Sequence, residues 1–286
     1  MTMRGADRSD VGANSRLVTR ALVGGAFLLI GVVFLFPMVW MLLSSFKANR
    51  DIFRSPLSLP STIDLGRWAE AWEVGNIGRY AVNSAIVTGV SVTLILLLGA
   101  AAAFALSRYR FRGRAVVMGL FALGLLLPLQ SYFIAQSKLF TQLAITDSYL
   151  ALIIPYTAMG LPLATFLLKV YLDALPDELF DAARIDGAGE GRMFLEVALP
   201  LLRPGLATVA IFSALACWNE FLLALLYIQN DDLKTIPTGL LAFSSRYVTD
   251  YAMLFSALSI VTIPMVVIYL VFNRQIVEGI TAGSVK

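Results

Sequence analysis

Apolar and polar positions along this chain fall into long alternating blocks. Apolar runs occupy about residues 21–46, 81–106, 115–136, 149–170, 206–228 and 251–272, each near the roughly 20 residues that cross a bilayer as a helix. The pattern predicts an all-α polytopic membrane protein with six transmembrane helices in a single domain over 21–274. Pro37 marks an expected kink in the first run; the third holds Pro128 and Gln130, and the fourth Pro155, Gly160 and Pro162. A signal peptide is the rival reading of the first run. That run is too long for an h-region and lacks a small-residue cleavage site, so a retained helix is expected.

The polar blocks differ in kind. Residues 1–20 carry Arg4, Arg8, Arg16 and Arg20 among Gly, Ser and Asp, and predict a disordered tail. Within 47–79, Pro56 and Pro60 predict an irregular start, and Leu65, Trp68, Ala69 and Trp72 a short amphipathic helix at the interface. Residues 275–286 form a short closing tail. After the second run come Arg108, Arg110, Arg112 and Arg114, interleaved with Tyr109 and Phe111. Beside a membrane helix this cluster reads as an anchor at the cytoplasmic interface rather than a nucleic-acid surface. Six spans put both termini on one side. Placing that side in the cytoplasm also gathers Arg184, Arg192, Arg203 and Arg274 inside, as the positive-inside rule prefers.

The block from Leu175 to Pro204 is the most ordered of these. It carries Asp177, Glu178, Asp181, Arg184, Asp186, Glu190, Arg192 and Glu196, so it must face water. Pro176 suits a first helical position, with Asp177 and Glu178 in the first turn, where carboxylates favour the positive end of the helix dipole. Leu179, Ala182, Ala183 and Ile185 predict a small apolar face. Gly187, Gly189 and Gly191 then interrupt the helix, and Met193, Phe194 and Val197 begin a second piece that Leu199, Pro200 and Pro204 lead into the next run.

Composition narrows the chemistry. Hydrophobic residues make up 58% and charged ones 14%, with a mean hydropathy of +0.79, a membrane-protein balance. With His at 0, imidazole bases and His-ligated metals are excluded, and Cys217, alone, has no partner for an internal disulfide and reads as a small buried hydrophobe. No G-x-x-x-x-G-K-[ST] loop occurs, so any ATP must be hydrolysed by another chain. The Gly187–Gly191 series lacks the preceding strand and the spacing of a dinucleotide loop. Neither a catalytic constellation nor a metal site is expected. Polar residues within the runs are the pathway candidates. Glu220 leads, with Asn219 beside it, because a carboxylate in a transmembrane helix needs water or a partner; a structural hydrogen bond is the competing role. Gln130, Gln136 and Asn83 are weaker candidates. Ser84, Thr88 and Ser91 share a face and read as a packing seam, and Tyr132 and Tyr156 as packing or interfacial aromatics that could also stack on sugar rings.

Asp181-Ala182-Ala183, three residues, Gly187, nine residues, Val197, one residue and Leu199-Pro200 resemble the EAA loop of permease subunits in bacterial ATP-binding-cassette (ABC) importers. Asp181 stands for the usual Glu and Val197 for the usual Ile, both preserving charge or shape. The segments 36–47, 101–114 and 152–163, WNEF at 218–221 and EGITAGSVK at 278–286 are similar to the smaller, six-span partner of maltose-type sugar permease pairs. The resemblance implies a type I ABC importer permease fold with a cytoplasmic EAA coupling loop in the bacterial plasma membrane. It implies that Glu178, Asp181, Ala182, Ala183, Asp186, Gly187, Phe194, Leu199 and Pro200 form the ATPase-coupling segment. It further implies a second, homologous permease, a homodimeric or heterodimeric ABC ATPase holding ATP and Mg2+, an extracytoplasmic solute-binding protein and a carbohydrate substrate, with no cofactor on this chain. The C-terminal tail is a possible second ATPase contact by the same resemblance. The alternative is an ion-coupled secondary transporter of a small solute, which needs more buried ionisable residues than Glu220 and paired repeats with broken helices.

Overall fold

The computed structural model describes residues 7–128, 131–243 and 250–282. Every regular element among them is helical. Helix α1, Asp7–Ser44, runs unbroken through Pro37 and takes in residues expected to be a disordered tail. Its apolar stretch stands off the rest of the chain, with Leu22, Phe27, Leu28 and Phe34 between 69% and 75% exposed. Its C-terminal end is tied down. Trp40 donates from Nε1 to the Pro56 carbonyl at 2.8 Å, and Lys47, buried without a carboxylate, donates from Nζ to Pro56 at 2.9 Å and Ser55 at 3.3 Å. Helix α2, Asn49–Arg54, buries Ile52. The expected amphipathic helix is α3, Gly66–Val74, whose Trp68 stacks on Phe46 at 5.3 Å between ring centroids.

The core is the crossing of α4, Ile77–Arg108, with α7, Leu150–Asp173. Two glycines make it possible. A Cβ at Gly99 would lie 2.9 Å from the Ala164 Cβ, and one at Gly160 would lie 2.4 Å from Ile95 Cδ1. Lipid offers no hydrophobic force between helices, so such close backbone approach supplies the dispersion contact that joins them. Ile95, Ala100, Ala103, Leu152, Leu168 and Leu172 are fully buried there, and Ser84, Thr88 and Ser91 fall within the buried face of α4.

Two apolar runs are broken where single helices were expected. The third divides into α5, Arg114–Leu126, and α6, Phe133–Gln142, because Pro128 removes a donor and disfavours helix in the residue before it. After α7 come α8, Glu178–Ile185, and α9, Glu190–Leu201, whose middle, Met193–Ala198, is wound as a π-helix. Pro200 cannot donate back to Glu196, and the wider turns ahead of it accommodate its ring. The fifth run divides into α10, Arg203–Trp218, and α11, Leu222–Tyr227. Helix α12, Tyr251–Ala282, extends well beyond the expected end at 272.

Among the described residues, three helices are long and apolar enough to cross a membrane: Leu22–Ser44 in α1, α4 and α7. Helices α9 and α10 pass the same test only as a pair bent by 75°, while Arg114–Leu126 and Tyr251–Val267 are shorter apolar helices.

Candidate functional site

The polar block after α7 folds as two helical pieces around a turn. Helix α8 begins at Glu178, two residues later than expected, with Asp177 as its N-cap and Pro176 ahead of it. Gly187 follows it at φ +80°, a left-handed conformation that only glycine adopts without steric cost, and donates to the Arg184 carbonyl at 3.0 Å. Nothing crowds a Cβ at Gly189 or Gly191, and their φ lies outside the left-handed region. One glycine therefore makes the turn.

Which face of α8 packs inward is decided by an aromatic nest at the end of α4. Phe180 is 1% exposed, and Phe104 lies 6.4 Å from it, 5.4 Å from Phe194 and 5.8 Å from Tyr109 between ring centroids. Ala183, Phe194 and Leu199 pack against this core. Glu178, Asp181, Ala182, Asp186, Gly187 and Pro200 are exposed, as are Leu179 at 43% and Ile185 at 87%. The expected apolar face is thus divided: Ala183 packs inward beside Phe180, while Leu179, Ala182 and Ile185 point to solvent. Asp181 pairs with Arg184 at 2.9 Å, and Arg192 with Glu196 at 2.7 Å. The Tyr109 phenol donates to the Glu190 carboxylate, joining the end of α4 to the start of α9. Burial first, then the hydrogen bond and charge of Glu190, push that phenol up to about 12, so the phenol keeps its proton near neutrality. Sequence reading missed Phe180 and Phe104 here and placed Arg108 among the anchors; the signal was Phe180 at three residues from Ala183, the one large aromatic in an eight-residue helix.

The pathway candidates do not converge on one cavity. Asn83, 3% exposed, donates from Nδ2 to the carbonyls of Asp232 at 2.9 Å and Lys234 at 2.8 Å, and accepts from the Tyr149 hydroxyl at 2.8 Å. Gln136 accepts from the Tyr227 hydroxyl at 2.9 Å, and exposed Asn219 donates to its own helix at the Leu215 carbonyl, 2.8 Å away. Gln130 lies outside the described residues. Glu220 occupies the break between α10 and α11. Its carboxylate accepts from the Leu223 N–H at 3.0 and 3.1 Å, from the Ala224 N–H at 3.3 Å and from the Tyr156 hydroxyl at 2.7 Å. It satisfies two of the orphan donors at the start of α11. One edge of Glu220 also reaches a cavity of about 160 Å3 lined by Ile95, Tyr156, Gly160, Ser213 and Cys217.

Residues 95–280 match the family described as binding-protein-dependent transport system inner membrane component. The diacetylchitobiose uptake system permease protein NgcG of Streptomyces coelicolor is 38% identical, the match covering 93% of this chain and 89% of that protein. The arabinooligosaccharides transport system permease protein AraQ of Halalkalibacterium halodurans is 33% identical, covering 92% and 95% respectively. In fold, the chain is similar to one in the crystal structure of a bacterial ABC transporter involved in the import of the acidic polysaccharide alginate, with a TM-score of 0.76, 19% identity and coverage of 96% and 99%. A match this long, reaching from the core of α4 past the α8–α9 turn into α12, places the chain in the family of binding-protein-dependent transport system inner membrane components.

Proposed function

We propose that this chain forms half of the translocation pathway of an ATP-driven, binding-protein-dependent carbohydrate importer and receives the motor's stroke through α8. As a family member it is a multi-pass inner-membrane permease subunit. Its relatives include permeases named for diacetylchitobiose and arabinooligosaccharides, which supports a sugar or related carbohydrate as cargo. In this reading the apolar helices make six crossings, counting the broken third and fifth runs as one each, with both termini in the cytoplasm. A second, homologous permease completes the pathway. A pair of ATPase subunits binds ATP and Mg2+, and an extracytoplasmic protein delivers the solute.

The observation that carries the reading is the outward face of α8. A helix of eight residues that leaves Ile185 87% exposed and Leu179 43% exposed, beside the carboxylates of Glu178 and Asp186, has an apolar patch in a polar rim. That is the composition of a docking surface rather than of a solvated loop. Closure of the ATPase on ATP would carry α8 with it, and α7 and α10, attached on either side of the α8–α9 knuckle, would reorient the pathway. The test is reconstitution of the full importer in proteoliposomes. Vanadate-sensitive carbohydrate uptake that disappears in Ile185→Asp, with loss of the ATPase from the purified complex, is the expected result. Uptake unaffected by this substitution refutes the assignment of α8.

A further inference from the structure

Four arginines lie at and just after the end of α4, and an anchor role leaves such side chains in water or among headgroups. Arg110 and Arg112 are exposed, as that role requires. Arg108 differs: its side chain is only 8% exposed. The guanidinium lies 3.8 Å from the centroid of the Phe180 ring. One terminal nitrogen pairs with the Asp177 carboxylate, and the other donates to the carbonyls of Leu172 and, at 3.4 Å, Leu175. Its partners therefore lie on successive pieces of chain: the last turn of α7, the link after it, the N-cap of α8 and the first turn of α8.

We propose that Arg108 is a positioning residue, a latch that sets the angle between α7 and α8 so that a push on α8 reaches α7 and α4. The proposal rests on the coupling reading of α8 given above. Without such a clasp, the link of residues 174–177 would absorb the motion as rotation about its own backbone. Arginine suits the task because its planar fork holds a carboxylate and a carbonyl at once while its face stacks on a ring; lysine, a point charge on a flexible stem, does not. A cationic group also favours the carbonyl end of α7. Beside the latch is a polar cleft of about 450 Å3 lined by Arg110, Arg114, Asp173, Asp181 and Arg184. Solvent reaches Asp177, 85% exposed, and screens the ion pair, whereas the ring and carbonyl contacts lie beneath the guanidinium. The clasp should accordingly depend on the shape of the arginine more than on salt.

Arg108→Lys separates the latch from an anchor, since the substitution preserves the charge that orients the helix. The complete importer carrying Arg108→Lys or Asp177→Asn, held in lipid nanodiscs, is compared with the wild type by hydrogen exchange. Transport per ATP is measured in proteoliposomes with the binding protein. In Arg108→Lys, amides of 178–185 should exchange roughly tenfold faster, while those of 150–168 are unchanged, ATP hydrolysis persists and transport per ATP falls. Asp177→Asn should shift both readouts in the same direction by a smaller factor. Exchange in Arg108→Lys equal to the wild type overturns the latch, and so does faster exchange with unaltered transport per ATP. Cross-linking of Ile185→Cys to the ATPase separates the two claims. No cross-link overturns the coupling reading and the latch's part in it together; a cross-link with wild-type exchange in Arg108→Lys overturns the latch alone.

Discussion

At one end of the α4–α7 pair the loops close on themselves; at the other they do not. Asn83 on α4 and Tyr149 at the start of α7 hold the 229–235 loop through side-chain and carbonyl hydrogen bonds. Asp147 accepts from the Asn230 N–H at 2.9 Å and from the Gln229 N–H, and Ser84 accepts from the Ile236 N–H at 2.9 Å. Polar groups there find partners within the chain, as burial demands. At the α8–α9 end the chain is clamped from beneath by Phe104, Phe180 and Arg108, while Leu179, Ile185 and Leu195, at 43%, 87% and 60% exposure, point outward. The first end is complete as it stands. The second leaves apolar surface exposed, and in the proposed reading the difference separates residues that set stability from residues that pass on motion.

The largest expected effect comes from the anchor of α8. Phe180→Ala removes a fully buried ring and should cost about 3–5 kcal/mol of docking. Uptake should vanish and a protease should nick residues 175–204, while the helices still insert; persistent uptake breaks the comparison. Next is Asn83→Ala, which strands three hydrogen-bond partners and should cost about 2 kcal/mol. Thermal unfolding in detergent should shift down with uptake by the intact protein unchanged. Lost uptake at an unchanged Tm would assign this end a direct part in transport. Gly187→Ala forces a Cβ into a left-handed turn at about 1–2 kcal/mol, and should lower transport per ATP where Gly189→Ala does not. Equal effects at the two glycines would show that the turn geometry is not what matters. The smallest effect is expected from Glu220→Gln, which keeps one acceptor oxygen for the Tyr156 hydroxyl and the Leu223 N–H but gives up the second oxygen bonded to that N–H and the charge facing the N-terminus of α11, about 1 kcal/mol. A transport rate that collapses without loss of stability would return Glu220 to the pathway.

Much of the 175–204 segment was readable because its signals are local. The polar block between apolar runs, the carboxylates at the start of α8 and the glycine at the turn each act within a few residues. The face of α8 was not readable in the same way. Leu179, Phe180, Ala182, Ala183 and Ile185 crowd eight residues with apolar side chains and permit two faces, and the choice belongs to a ring on α4 that is remote in sequence. The breaks in the third and fifth runs were masked for a related reason. Hydropathy averages across Pro128 and Glu220, whereas the backbone responds to each singly: a missing donor in one case, a carboxylate gathering free N–H groups in the other.

The sequence by itself determined the membrane class, the polar knuckle and its turn, because hydropathy and backbone preference act over short stretches of chain. Tertiary structure alone decided that Asn83 and Glu220 spend their polar groups on internal bonds, and that one arginine of four is buried under α8. Burial, hydrogen-bond partners and the facing of a short helix depend on what the rest of the chain brings alongside, and no local pattern contains that.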